Sequence, residues 1–289
     1  MINKNIQAII LDVDGVIVGE KIGFNSPHPH PDVIIALKEI QNKGIPVSLC
    51  TAKPHFAISK EIIDADLDNA HIADGGGVII SPLENKIIKQ NNLPTESAVK
   101  VLQAFLDVGV YVEFYTADNY VIQKSQAGDI TQKHNHVIQA EPLQVDSLAE
   151  AAKQAQITKI MPIAVDEADK ENLNKVFESF KDKLVMSWGV HPVILPLQFG
   201  IVTAPGISKK QGAVEISQAT EVPLENTLGV GDSGSDWQFI EMCGYGAAMG
   251  NAKQDLKDLV ATKSEGKSFV GPSVDENGIL EIFKHFGLL

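Results

Sequence analysis

Cysteine is nearly absent. Cys50 and Cys243 are the two in the chain, far apart and each in apolar surroundings. That spacing excludes a disulfide framework and a zinc cluster, and it predicts buried free thiols in a reducing compartment. Long apolar runs are missing as well. No stretch is long enough to span a bilayer, and Met1-Ile2-Asn3-Lys4-Asn5 leads straight into the first apolar segment without a signal peptide. The expectation is a cytoplasmic protein with no membrane partner. Positive charge is scarce: 24 Lys plus Arg stand against 37 Asp plus Glu, a formal net charge of −13. Such a balance argues against nucleic acid as a partner, which needs a basic face. It leaves room for a small phosphorylated molecule, because a local cluster of Lys and backbone N–H groups can hold an anion in an acidic protein. No Gly-x-x-x-x-Gly-Lys-Ser/Thr loop is present, which argues against a P-loop NTPase, and no Gly-x-Gly-x-x-Gly follows the first strand, which argues against a dinucleotide-binding domain. There is no internal repeat and no low-complexity tract.

What is present is a core. Hydrophobic residues make up 44% of the 289, enough for one large domain or two ordinary ones. The informative stretch is Ala8-Ile9-Ile10-Leu11-Asp12-Val13-Asp14-Gly15-Val16. A short continuous apolar run reads as a strand buried on both faces of a parallel sheet. Asp12 and Asp14 then fall at its carboxyl end, the side on which open α/β sheets bind ligands. A Pro- and His-rich loop follows, Ser26 to Pro31, whose His28 and His30 are read as exposed and without function. Val33, Ala36, Leu37 and Ile40 mark a helix that Gly44 stops, Ile45–Cys50 a second strand ending in Thr51-Ala52-Lys53-Pro54, and Phe56–Ile63 a further helix. His71-Ile72-Ala73 begins a third strand, broken at Asp74-Gly75-Gly76-Gly77. Alternation at this spacing means βαβ units.

The pattern changes from about Ser81, with Pro82, Asn85 and Lys89-Gln90-Asn91-Asn92 marking a boundary. A helix from Thr95, a hairpin of Val110–Tyr115 and Tyr120–Gln123, a capping box of Ser147 with Glu150, a strand over Ile157–Val165, a helical stripe at Leu173, Val176, Phe177 and Phe180, and strands over Leu184–Trp188 and His191–Leu197 describe an α+β insert. From about Thr203 the first pattern returns: a helix from Ser208-Lys209-Lys210, a buried strand Thr227–Gly231 ending in Asp232-Ser233-Gly234-Ser235-Asp236, a helix carrying Trp237, Ile240 and Glu241, a strand Tyr245–Met249 closed by Gly250-Asn251-Ala252, and two last helices. The expected fold class is α/β, a Rossmann-like parallel sheet from residues 1–81 and 199–289, interrupted by an α+β cap at 82–198.

Asp12/Asp14, Thr51, Lys209 and Asp232/Asp236 all end buried strands or open helices; a parallel sheet puts its strand carboxyl ends on one rim, so three of these four groups must lie near one another. Carboxylates gathered there repel unless a cation holds them, and an oxygen-only set that must also accept a phosphate selects Mg²⁺. A metal with one Lys, one Thr hydroxyl and helix N–H groups suits a phosphoryl group. Counting back from Asp232 favours Lys209 over Lys210, which reads as a solvated helix residue.

In this order the four segments resemble the four motifs of the haloacid dehalogenase superfamily of phosphotransferases, and the insert resembles the cap of its subclass IIB, which includes Cof-type sugar phosphatases, sucrose phosphatases and phosphomannomutases. The resemblance covers nearly the whole chain. It implies Asp12 as nucleophile, Asp14 as general acid and base, and Mg²⁺ held by Asp12, the Asp14 backbone carbonyl and Asp232. It implies phosphate binding by Thr51, Ala52 and Lys209, and an orienting role for Asp236. It also implies a cap that closes over the rim and reads the leaving group, for which Tyr115, Asp118, Tyr120, Trp188 and His191 are candidates. Three motif positions depart from the family: Lys53 stands where Arg is usual, Ser235 precedes Asp236 where Asn is common, and Gly75-Gly76 replaces an Asn-Gly. The function so implied is a Mg²⁺-dependent phosphatase of small phosphomonoesters such as sugar phosphates, forming an aspartyl-phosphate. A phosphomutase shares every residue named. A haloalkanoate dehalogenase needs neither Asp14 nor Asp232, and a non-catalytic phosphate-binding module needs no nucleophile and acid together. Oligomeric state is not legible.

Overall fold

The computed structural model describes residues 5–81 and 86–289, and of Pro192 the backbone alone. Pro82 and Asn85 lie outside the described residues. The chain divides into two compact units: Met1–Lys53, Ile58–Ile88 and Ser208–Leu289 form one, Pro54–Ala57 and Lys89–Ile207 the other.

In chain order the first unit supplies β1 (Ala8–Leu11), α1 (Pro31–Asn42), β2 (Val47–Leu49), α2 (Ser59–Asp64), β3 (His71–Ala73) and β4 (Val78–Ser81), and β5 (Lys86–Gln90) runs across the junction. The second unit holds α3 (Thr95–Asp107), β6 (Tyr111–Tyr115), β7 (Tyr120–Gln123), α4 (Asp129–Ile138), β8 (Leu143–Val145), α5 (Leu148–Ala152), β9 (Lys159–Ala164), α6 (Glu167–Phe177), β10 (Val185–Val190) and β11 (Gln198–Thr203). The first then resumes with α7 (Lys209–Thr220), β12 (Thr227–Gly231), α8 (Trp237–Ile240), β13 (Tyr245–Ala248), α9 (Gln254–Ala261), β14 (Ser268–Val270) and α10 (Gly278–His285).

The first unit is built on a parallel sheet of order β14-β13-β12-β1-β2. The apolar run of β1 takes the central place because both its faces are covered. Ile9 and Leu11 pack with Val33, Leu37 and Ile40 of α1 and Ile279, Ile282 and Phe283 of α10. Ile10 packs on the other side with Ile216 of α7, Phe239 of α8 and Leu256 of α9. Truncating Ile10 to Ala would cost about 2–5 kcal/mol. Leu11 stands opposite Val230 on one neighbour and Leu49 on the other. This register brings the residues just beyond all three strands to the same rim.

β3 and β4 depart from the expected parallel continuation. Asp74, Gly75 and Gly76 all take positive φ, at 50°, 64° and 109°, which turns the chain back on itself. β3 and β4 therefore pair antiparallel in a separate sheet of order β3-β4-β5. The expected helix over 56–63 is split into a 3-10 turn at His55–Ala57 and α2.

The second unit is a six-stranded sheet, β10-β11-β9-β6-β7-β8, antiparallel except for β7 with β8. Leu102 and Phe105 of α3 and Leu173 of α6 fill one face with Val112, Phe114 and Ile160. On the other, Ile138 of α4 joins Tyr111, Tyr115, Met161, Ile163 and Phe199. His191–Leu197 is not a strand. Pro192 opens a 3-10 turn and Leu195-Pro196 is cis, and the ladder partner is β11, hydrogen-bonded between β10 and β9. β11 belongs to the second unit, whose contacts extend to Ile207 instead of ending at 198. Ser147 caps α5 by accepting from the Glu150 N–H at 3.3 Å, but Glu150 turns to Lys153, so only half of the expected capping box forms. No helix among the described residues is long and apolar enough to cross a membrane.

Candidate active site

The site grows from the end of β1. Asp12 continues the ladder, its N–H donating to the Val230 carbonyl at 3.1 Å. Its Oδ1 accepts from the next residue, the Val13 N–H, at 2.8 Å. The chain then folds tightly at Gly15, whose φ of 77° favours glycine. A Cβ there would stand 2.1 Å from Asp232 Oδ2, so the carboxylate from β12 lies directly against this glycine.

Lys209 is the first residue of α7, capped by the Ser208 hydroxyl, which accepts from the Gln211 N–H. Its ammonium donates to Asp12 Oδ2 at 2.7 Å and to Asp236 Oδ1 at 2.6 Å, and it is buried. Lys210 is exposed. Asp236 is wholly buried, and its Oδ2 accepts from the N–H groups of Asp232 and Ser233 at 3.0 and 2.9 Å and from the Ser233 hydroxyl at 2.9 Å. Carboxylate oxygens of Asp12, Asp232 and Asp236 lie within 4.8 Å of one another.

Burial pushes the Asp12 carboxyl well above its usual range, and the neighbouring acids add to this against the pull of Lys209. Asp232 is pushed up to about 7, by burial first and then by Asp236. Burial acts on Asp236 in the same sense, but Lys209 and the Ser233 donors override it and hold this carboxyl below its usual range. Burial would lower the Lys209 ammonium, and the carboxylates of Asp12 and Asp236 raise it instead. The buried Lys209 ammonium thus lies between Asp12 and Asp236, while burial and neighbouring acids make the carboxyls of Asp12 and Asp232 resist ionisation.

Thr51 lies just past β2, buried, with its N–H on the Ile72 carbonyl and its own carbonyl accepting from Gly75. Its hydroxyl oxygen accepts from the Lys53 N–H at 3.2 Å, leaving the hydroxyl hydrogen to donate elsewhere. Ala52 is half-buried beside it. Lys53 places its ammonium 2.7 Å from Asp14 Oδ1. The chain contains no arginine, so its 24 basic residues are all lysines, and cation contacts in this site are point charges. Gly76 brings the β3–β4 turn against α7: a Cβ there would lie 2.5 Å from the Ser208 carbonyl oxygen.

Asp12, Asp232, Asp236 and Lys209 are thus brought into direct association, while Asp14 is met through Lys53. The Lys53–Asp14 pair was not read from the sequence as a contact, although Lys53 stands at a motif position. Asn251 was also missed. It donates to the Gly15 carbonyl at 2.9 Å, and the sole signal was its place after the last buried strand. Tyr115 and Tyr120 are buried and stacked at 5.5 Å, with the Tyr115 hydroxyl on Glu113 Oε1 at 2.5 Å. Trp188 donates to Asn174 at 2.9 Å, and Asp118 lies in the hairpin turn with its N–H donating to the Thr116 hydroxyl at 3.3 Å. His191 is half-buried. His28 and His30 are not fully exposed: His28 meets the buried Glu61 at 2.9 Å, and His30 caps α1 through the Asp32 N–H. Both cysteines are free and buried.

The haloacid dehalogenase-like hydrolase family matches residues 9–283. Phosphatase YwpJ of Bacillus subtilis (strain 168) is 24% identical over 295 residues, spanning 96% of this chain and 99% of its own. Pyridoxal phosphate phosphatase YbhA of Escherichia coli (strain K12) is 22% identical, spanning 96% and 98%. Among solved structures, the subclass IIB sugar phosphatase BT4131 superposes with a TM-score of 0.77 at 25% identity, over 98% of this chain and all of that one.

Proposed function

We propose that this chain, which belongs to the haloacid dehalogenase-like hydrolase family with the fold of its subclass IIB, is a Mg²⁺-dependent phosphatase of small phosphorylated metabolites that carries the phosphoryl group on Asp12. The observation behind this reading is the convergence of Asp12, Asp232 and Asp236 on one another with Lys209 between two of them.

The donor set fits a hard cation. All the candidate ligands are oxygens, and the raised carboxyls of Asp12 and Asp232 are those a divalent ion would ionise. Asp236 is already saturated by four donors, so Asp12, the Asp14 carbonyl and Asp232 are left to hold the ion. When bound, Mg²⁺ supplies charge that draws a phosphate dianion among carboxylates and stabilises the transferring group.

The remaining chemistry falls to the chain. Asp12 attacks phosphorus in line, forming an Asp12 O–P bond as the ester P–O bond breaks. Asp14 gives its proton to the departing alkoxide, then takes one from the water that attacks the aspartyl-phosphate, releasing phosphate and restoring Asp12. Lys209 offsets charge on the equatorial oxygens, and the free Thr51 hydroxyl hydrogen donates to one of them. Asp236 holds Lys209 and the Asp232–Ser233 backbone in place.

The relatives bearing phosphatase names and the subclass IIB sugar phosphatase favour a small-metabolite ester as substrate. The test is phosphate release from p-nitrophenyl phosphate and a panel of sugar phosphates, with and without Mg²⁺. Metal-dependent release is expected. Isomerisation without release, activated by a sugar bisphosphate, would identify a phosphomutase, and binding without turnover would refute the enzyme reading.

A further inference from the structure

We propose that Asn251 is a positioning residue for the divalent metal, clamping the Asp14–Gly15 turn to the Asp232 loop; the inference rests on the metal site proposed above. Asn251 follows β13. Its Nδ2 donates to the Gly15 carbonyl at 2.9 Å and lies 3.5 Å from Asp232 Oδ2, while its Oδ1 accepts from the Val274 N–H at 2.9 Å. A carbonyl on one side and an N–H on the other require an amide in this orientation. One side chain therefore spans three segments distant in sequence: the turn after β1, the loop after β12 and the 3-10 turn at Val274–Glu276.

Hydrogen bonds tie down the platform beneath it. The Gly250 N–H donates to the Pro272 carbonyl at 2.9 Å, the Gly250 carbonyl accepts from Lys257 at 2.6 Å, and the Met249 N–H donates to the Gly231 carbonyl at 3.0 Å. A Cβ on Gly250 would lie 2.6 Å from the Pro272 carbonyl carbon, so the close approach needs glycine. On the far side, Asp232 rests against the bare Cα face of Gly15. Two of the proposed metal-holding groups, the Asp14 carbonyl and the Asp232 carboxylate, belong to loops that Asn251 joins without itself supplying a ligand. Groups of this kind set the geometry of metal ligands, and their loss weakens metal binding by about 10–100-fold.

The test titrates MgCl₂ into the 289-residue chain and follows the rise in Tm, alongside the Mg²⁺ dependence of p-nitrophenyl phosphate turnover. Asn251→Ala is expected to raise both Mg²⁺ midpoints about tenfold while retaining turnover at saturating Mg²⁺. Val274→Pro removes the N–H that anchors the amide, at a position where proline fits: the first residue of the 3-10 turn, after Ser273 with ψ 153°. It is expected to raise the midpoints in the same direction by less, and it decides the matter should Asn251→Ala fail to fold. Wild-type midpoints in both variants would overturn the inference alone. A wild-type Tm indifferent to Mg²⁺ would overturn the metal site and the inference together.

Discussion

Replacing Asp236 with Asn changes one atom in a fully enclosed pocket. The native carboxylate accepts from Lys209 on one oxygen and from the Asp232 N–H, the Ser233 N–H and the Ser233 hydroxyl on the other. An amide has one acceptor. If its oxygen faces Lys209, its NH₂ meets two backbone N–H groups; if it is flipped, NH₂ meets the ammonium. Either orientation opposes donors: it takes from the buried Lys209 ammonium one of its two acceptors, leaving Asp12, or it leaves two partly buried N–H groups unpaired. Breaking one side of a buried, hydrogen-bonded ion pair costs about 3–5 kcal/mol, and each stranded donor about 1–3 kcal/mol. For a unit of this size that lowers Tm by roughly 6–20 °C. Because the Asp236 carboxyl is held below its usual range, its contribution is complete above the unfolded pKa and fades as pH falls through the folded one. The experiment is therefore thermal unfolding in EDTA at neutral pH, repeated in acid, where the gap between variant and wild type should narrow. The chain has two tryptophans, Trp188 and Trp237. In a Trp188→Phe background, the fluorescence of Trp237, next to Asp236, reports the first unit alone. A neutral-pH loss below about 2 °C would show that the hydrogen bonds around Asp236 do not carry the weight assigned to them.

Asp232 predicts the opposite pH dependence. Its carboxyl stays protonated in the metal-free fold up to about 7, against 3.8 as its ordinary value, so the folded state binds the extra proton between these pH values. Metal-free wild type should therefore lose stability relative to Asp232→Asn as pH rises across that window; a gap that is constant from acid to neutral pH would contradict the shift. Gly76→Ala places a methyl 2.5 Å from the Ser208 carbonyl oxygen at a φ of 109°. It should cost about 1–3 kcal/mol in thermal unfolding and reduce turnover through the displaced Lys209, whereas Gly75→Ala, which meets no atom within 4 Å, should spare turnover.

The parts of the fold that could be read from the residues were those with a strong period or a strong stop. β1 announced itself because four apolar residues in a row can be buried only if both faces are covered, and they are. α3 was legible from Ala98, Val101, Leu102 and Phe105 on one face. α4 was not, since Asp-Ile-Thr-Gln-Lys-His-Asn-His-Val-Ile buries a Thr and a His with a single aliphatic residue. That helix is held by tertiary contacts, including the buried His134 against Glu113 at 2.9 Å. His191–Leu197 misled because its apolar residues outnumber its two prolines, yet the prolines decide its backbone. In the site, carboxylates at strand ends converged as a parallel sheet requires, and Lys209 was separable from Lys210 by counting back from Asp232. Pairings such as Lys53 with Asp14 and Asn251 with Gly15 join loops whose paths no local pattern specifies. The same holds for the half-formed capping box, where Glu150 had Lys153 as a competing partner.

Transfer of the phosphoryl group to Asp12 is the central step of the proposed reaction. Acid-quenching the protein during turnover of p-nitrophenyl phosphate with Mg²⁺, then reducing with borohydride, converts an aspartyl-phosphate to homoserine, which peptide mass spectrometry locates. Homoserine at residue 12 is predicted, absent when Mg²⁺ or substrate is withheld, together with a turnover loss of at least roughly 10³-fold in Asp12→Asn. Phosphate release that continues at the wild-type rate in Asp12→Asn, or homoserine at another residue, would contradict it.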